Sequence, residues 1–218
     1  MNALRIAALV AATLASGLIG GVFYAYAISV MPALNRTDDR TIVDVMQKIN
    51  VVIINPWFMI GFMGTVGFGV AAAALHLGKD HRTTLVWIAI ALVLNVIAFM
   101  VTSGLNVPLN DKLAAAGDVA QIQNLAQVRA DFEATWVRWN VVRAVLHTLA
   151  FLVLCGALFV AGQQQGKNST AGAATAAVPG QFSAPNHNPP TRPFTAQPAG
   201  APYGGPQAQP PRPGHPGA

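Results

Sequence analysis

Charge is what this chain has least of. Only 10% of its 218 residues are Asp, Glu, Lys or Arg, against about a quarter in an ordinary soluble domain. Beside 53% hydrophobic residues and a mean hydropathy of +0.46, that deficit points to a membrane protein. The single cysteine, Cys155, permits no internal disulfide and builds no metal cluster. The five histidines are scattered and no acid falls inside a long apolar run, so no metal site is expected. The 13 Lys and Arg against 8 Asp and Glu give a net charge of +5. These charges sit at the edges of apolar runs and near the C-terminus, not in one basic patch. Nucleic acid is therefore not an expected partner.

What the chain does have is four long apolar segments, at roughly 6–31, 52–77, 85–103 and 139–161. About 20 apolar residues cross a hydrocarbon core roughly 30 Å thick, and lipid-exposed open strands are excluded because backbone polar groups must be satisfied internally. The expectation is an all-α integral membrane protein, an up-down-up-down four-helix bundle over residues 1–162, with the lipid bilayer as its surroundings. The first segment imitates a secretory signal through Arg5 and Ala25-Tyr26-Ala27. Its apolar run is too long for a signal core, and Gly17-x-x-x-Gly21 suits close helix packing, so retention is expected. Between the first two spans, Thr37 is placed to cap an amphipathic helix carrying Ile42, Val45, Met46 and Ile49. Before the fourth span, Asp111 to Thr135 reads as a surface helix or lid with a stripe of Ile122, Leu125, Val128 and Phe132.

From Gln163 onwards the composition changes. Twelve of the 15 prolines lie there, with Gly, Ala, Gln and Ser. Such a stretch buries too little apolar surface to fold, so 163–218 is expected to be a disordered Pro/Gly/Ala-rich tail. An extended Pro-rich segment suits a protein partner. For orientation, Lys and Arg divide 6 against 7 between the two sides, which does not decide. The compact loop with Lys79 and Arg82, and the placing of seven of the eight acids on the other side, favour cytoplasmic termini.

In such a bundle four span ends share one membrane face, and the unusual residues gather there. They are Tyr24, Tyr26, Pro32 and Asn35; Asn50, Asn55, Pro56 and Trp57; Thr102, Asn106 and Asn110; and the run beginning at Trp136. On the fourth span Trp136, Asn140, Arg143 and His147 fall within about 60° of arc at 100° per residue. Asn95 and Thr102 share a face with Asn106, and Asn95 lies about as deep as His147. Each has a plainer reading. Trp136 suits an interfacial anchor, Asn106 and Asn110 with Pro108 suit a helix stop, and Asn140 suits a helix–helix hydrogen bond. Arg143 is harder to dismiss. A membrane arginine costs about 2.5–3.5 kcal/mol near the centre, and no acid within a span can pair with it. Its partners must be carbonyls, Asn or Tyr side chains, or a ligand developing negative charge.

Several short motifs recur together in order. They are Gly20-Gly21-x-Phe23 with Val30-Met31-Pro32-Ala33, Met46-Gln47-x-Ile49-Asn50, Asn106-Val107-Pro108-Leu109-Asn110, and Trp136-x-x-x-Asn140-x-x-Arg143. Over roughly residues 8–160 the chain thereby resembles the anthrone oxygenase-like family of small bacterial and fungal membrane proteins, most without an assigned function. The resemblance implies four helices, a bacterial plasma membrane setting and, as in the few assigned members, oxidation of an anthrone to an anthraquinone by molecular oxygen without a bound cofactor. The corresponding expectation is a cofactor-independent oxygenase of a flat, lipophilic phenolic or quinone-type substrate, with oxygen as co-substrate. Arg143, Asn140, Asn106 and Asn110 would stabilise an oxyanion. Tyr24 and Trp57 would form an aromatic wall, and Asn50, Asn55 and Trp136 would complete the binding site. His147 is the candidate base from its own chemistry, since the matched motif stops at Arg143. The rival expectation is a non-catalytic membrane protein whose polar stripe locks helix packing or binds a lipophilic compound, and whose tail recruits a partner. The absence of an evident inverted repeat in four spans argues against a transporter.

Overall fold

Apolar length and three prolines set the architecture. The computed structural model describes residues 2–176, which contain helices and turns and no strand. Helix α1 (Asn2–Ala25) passes through a π-helical turn, Tyr26–Val30, into α2 (Met31–Leu34). Then come the amphipathic α3 (Asp39–Val52) and α4 (Pro56–Leu75). Helix α5 (Arg82–Val101) passes through a second π-helical turn, Thr102–Asn106, into α6 (Val107–Ala115), and α7 (Leu125–Ala176) closes the described chain. Four stretches are long and apolar enough to cross a membrane: Ala3–Leu34, Pro56–Leu75, Lys79–Ala115 and Leu125–Lys167. They pack as a ring in which α1 and α5 each contact both α4 and α7.

Several boundaries differ from the sequence expectation, each for a local reason. The third span does not stop at Pro108. Proline lacks an N–H and its ring crowds the preceding turn, yet in the first turn of a helix neither matters. The π-helical turn ends just before that first turn, and α6 continues the span with Pro108 in it. Pro32 has the same relation to Tyr26–Val30 and α2. The expected surface helix before the fourth span is instead two pieces. Helix α6 ends near Gly117, whose φ of 84° suits glycine. From Leu125 to Cys155 there is neither Gly nor Pro, so the rest merges with the fourth span. At 52 residues and 1.5 Å per residue, α7 is about 78 Å long, far more than a bilayer needs. It also runs past residue 162 through the proline-free stretch to Ala176; the remainder of the expected tail, 177–218, lies outside the described residues. Helix α3 is capped by Asp38, whose carboxylate accepts from the Thr41 backbone N–H, while the Thr37 hydroxyl donates to the Leu34 carbonyl.

The core has three parts. In one half of the bundle Ala12, Ala72, Ala91, Ala150 and Ala157 bring the helices together around Leu9, Ile88 and Leu154. Small residues are needed because lipid gives no hydrophobic drive between spans, leaving close packing to hold them. Gly17 and Gly20 extend this contact: a Cβ on Gly17 would lie 2.9 Å from Phe151, and one on Gly20 3.3 Å from the His147 Cβ. Gly21, expected in that role, faces open space. At the other end α3 buries Ile42, Val43 and Met46 against Met31, Leu113, Phe132 and Trp136. Ile122, Leu125 and Val128 pack on the same cluster, so the expected stripe is real although its helix is broken. A third group, Ile19, Phe23, Phe62 and Ala144, lies around the cavity described next.

Candidate functional site

Beneath α3, the π-helical turns, the start of α4 and the upper part of α7 line a partly open cavity of about 250 Å³. Most of its wall is apolar, from Val22, Phe23, Ile49, Ile53, Phe58, Met59 and Phe62. The polar lining is Tyr26, Asn50, Thr102, Asn110, Asn140 and Arg143, with Trp136 beside them. No acid lines it.

Arg143 is the dominant charge. It is 5% exposed, and its guanidinium lies 4.1 Å from the Phe23 ring centre and 5.5 Å from that of Trp136. Such cation–π contacts offset part of the cost of desolvation. Its Nη2 donates to Asn140 Oδ1 at 3.0 Å, while Nε is buried without a partner. Asn140 is fixed in turn, donating through Nδ2 to the Phe23 carbonyl at 2.9 Å. A second unsatisfied donor, Asn50 Nδ2, lies on the α3 side of the same cavity. Asn110 accepts from the Trp136 indole N–H at 2.8 Å. The cavity thus offers unsatisfied donors in an apolar wall and calls for an oxygen acceptor.

Several expected residues stand elsewhere. Tyr24 is 55% exposed and Trp57 85% exposed, so neither forms an aromatic wall. Tyr26 and Phe58 do so instead. Asn55 caps α4: its Oδ1 accepts from the Phe58 N–H and its Nδ2 donates to the Val52 carbonyl. Asn106 is fully buried but behind the wall, donating to the Trp136 carbonyl at 3.2 Å with its own Oδ1 unpartnered. His147 is also fully buried and does not line the cavity. Its ring lies 5.6 Å from that of Phe23, the residue that reaches both. Among the described residues no three His, Cys, Asp or Glu side chains come together as metal ligands.

Residues 56–153 match the family model described as anthrone oxygenase. That match, over a little under half of the chain, supports an anthrone oxygenase-like assignment for the segment. No curated protein and no solved structure matches the chain. The anthrone oxygenase match includes Asn95, Thr102, Asn106, Asn110, Trp136, Asn140, Arg143 and His147. It begins after Phe23, Tyr26 and Asn50, so part of the cavity wall comes from outside the matched segment. Sequence reasoning passed over Phe58 as a site residue, though Asn55-Pro56 announces a capped helix start whose first turn contains it.

Proposed function

We propose that the protein oxidises a flat, lipophilic phenolic or quinone-type compound with molecular oxygen, as an anthrone is oxidised to an anthraquinone. The observation that carries this reading is Arg143, a buried cation in an apolar cavity with one protein acceptor and an unsatisfied Nε. An enolate oxygen is a fitting partner. The cavity, at about 250 Å³, lies just below the usual range of ~300–1,000 Å³ for small-molecule pockets and suits a compact, flat ligand.

The reaction balances without an added reductant. A base removes one proton from the methylene carbon opposite the carbonyl, and the charge spreads to the carbonyl oxygen. Arg143, with Asn50, stabilises that oxyanion where water is scarce. The carbanion then gives its electrons to oxygen, a carbon–oxygen bond forms, and the distal oxygen is protonated. Loss of the second methylene hydrogen as a proton breaks the oxygen–oxygen bond, leaving a new carbonyl and one water. His147 Nε2 is the base in this scheme, reaching the substrate when the Phe23 ring turns aside. The compact loop with Lys79 and Arg82 favours cytoplasmic termini, and the Pro-rich composition of 177–218 suits a protein partner.

The test is oxygen uptake and quinone absorbance after adding an anthrone to the protein in lipid nanodiscs. Heat-inactivated protein corrects for spontaneous autoxidation. One oxygen consumed per quinone formed, above that background, is the expected result; a rate equal to the background overturns the reading. A binding protein without turnover is the second reading. Asn106 and Asn140 favour it, because both are tied to backbone carbonyls across helix contacts, as packing residues would be.

A further inference from the structure

Below the cavity, one polar side chain or carbonyl from each of the four spans meets at the centre of the bundle. His147 Nδ1 lies 2.9 Å from Asn95 Oδ1. Asn95 Nδ2 lies 3.0 Å from Ser16 Oγ and 3.3 Å from the Thr65 carbonyl. Ser16, Thr65, Asn95 and His147 are all at most 1% exposed. The opposite ring nitrogen, His147 Nε2, is buried and has no partner.

The proton positions follow from what each atom can do. A backbone carbonyl only accepts, so the end of Asn95 facing Thr65 must be its NH₂. Turned the other way, the amide would set two carbonyl oxygens against each other. The Asn95 oxygen therefore faces His147, and it too only accepts. In the neutral ring the one proton must then be on Nδ1, which leaves Nε2 as a bare lone pair. A helix lock gains nothing from this, because an unsatisfied buried polar atom costs about 1–3 kcal/mol. A base needs it. Gly20 seats the histidine from the other side, since a Cβ there would come within 3.3 Å of the His147 Cβ.

We infer that Asn95 is a positioning residue that holds His147 as the Nδ1–H tautomer, so that Nε2 is preset to take a proton. The tautomer stands on geometry alone; its use in turnover rests on the oxygenase reading above.

The experiment uses the full-length protein with ¹⁵N-labelled histidine in nanodiscs, with His147 assigned by its loss in His147→Gln. The ¹⁵N spectrum should show a protonated Nδ1 and an unprotonated Nε2. An Nε2–H signature in the wild-type protein overturns the inference whatever the variants do. In Asn95→Leu the signature should move towards Nε2–H, the tautomer free histidine favours, and kcat should fall about tenfold to a hundredfold with KM little changed. A shifted tautomer with unchanged kcat overturns the positioning role. If Asn95→Leu does not fold, Ser16→Ala, which leaves the Thr65 contact in place, should keep the Nδ1–H signature; a switch to Nε2–H in that variant overturns the inference. The expected tautomer together with no anthrone oxidation would sink the oxygenase reading and leave the Asn95–His147 arrangement standing.

Discussion

Two arginines on one helix show how differently this bundle treats the same side chain. Arg129 and Arg143 are 14 residues apart on α7, which is about 21 Å along the axis and only about 40° around it. They point in nearly the same direction at different depths. Arg129 is nearly saturated, using four of its five N–H donors: it donates to Glu133 at 2.6 Å, Asp39 at 3.0 Å and the Thr37 and Asn35 carbonyls at 3.1 and 3.0 Å. Asn35 also donates to Glu133. Together they clamp α7 to the link between α2 and α3. Arg143 has one neutral acceptor, Asn140. A nearly saturated guanidinium is structural; one with most of its donors to spare in a cavity is available to a ligand.

The sharpest way to break this comparison is to remove each charge while keeping the chain's bulk. Arg143→Met should lower turnover by about a hundredfold or more, as the loss of an oxyanion donor typically does. Its melting temperature should hold or rise, because a buried charge without an acid is removed. If calorimetry instead shows a collapse in stability with turnover intact, Arg143 is a packing residue. Arg129→Met should do the reverse. It should cost about 1–2 kcal/mol in denaturant unfolding, given several charge-assisted hydrogen bonds on a partly exposed group, and leave oxygen uptake per folded molecule unchanged. Asn50→Leu should weaken substrate binding by up to about tenfold, the worth of one hydrogen bond, with little change in stability; an unaltered Kd removes Asn50 from the site.

The smallest effect is expected at the far end, where the donors are again consumed by the protein. His76 follows the C-terminus of α4, buried, with Nδ1 2.7 Å from the Ala72 carbonyl, and Arg5 donates to the Leu75 carbonyl. Desolvation lowers the His76 pKa, the Ala72 carbonyl opposes this, and nearby His81 and Arg5 lower it further. The folded state therefore holds the neutral ring while the unfolded chain binds a proton from about pH 6.5 downwards. That share of stability is present above pH 6.5 and is lost as pH falls towards the lower folded pKa. Melting temperature should fall slightly between pH 7 and 5, and His76→Gln should flatten the slope; an equal slope in both proteins rejects the assignment.

The sequence carried the four spans because apolar length is a composition signal that survives errors of phase. The stripe Trp136, Asn140, Arg143 and His147 was legible for a related reason, since α7 has no break between them. Where the backbone changes pitch, the reading fails. Tyr24 and Tyr26 differ by two residues, about 200° on a helix, and the π-helical turn that begins at Tyr26 alters the phase further. Only Tyr26 reaches the cavity. Asn95 and His147 could be placed at matching depths, but their hydrogen bond joins residues 52 apart, and no periodicity within one helix reports such a meeting. Asn106 shows the remaining limit. The polar residue was visible, but not whether its amide would face the void or the Trp136 carbonyl.

Trp136 gives the cavity a spectroscopic voice. Its indole is part of the wall, bonded to Asn110 through its N–H and close to the Arg143 guanidinium, while Trp57 faces outward. If the proposed reading holds, a quinone bound there would bring a chromophore that accepts excitation energy from the adjacent indole. Filling and emptying of the site would then be written into the protein's own fluorescence, with no label attached.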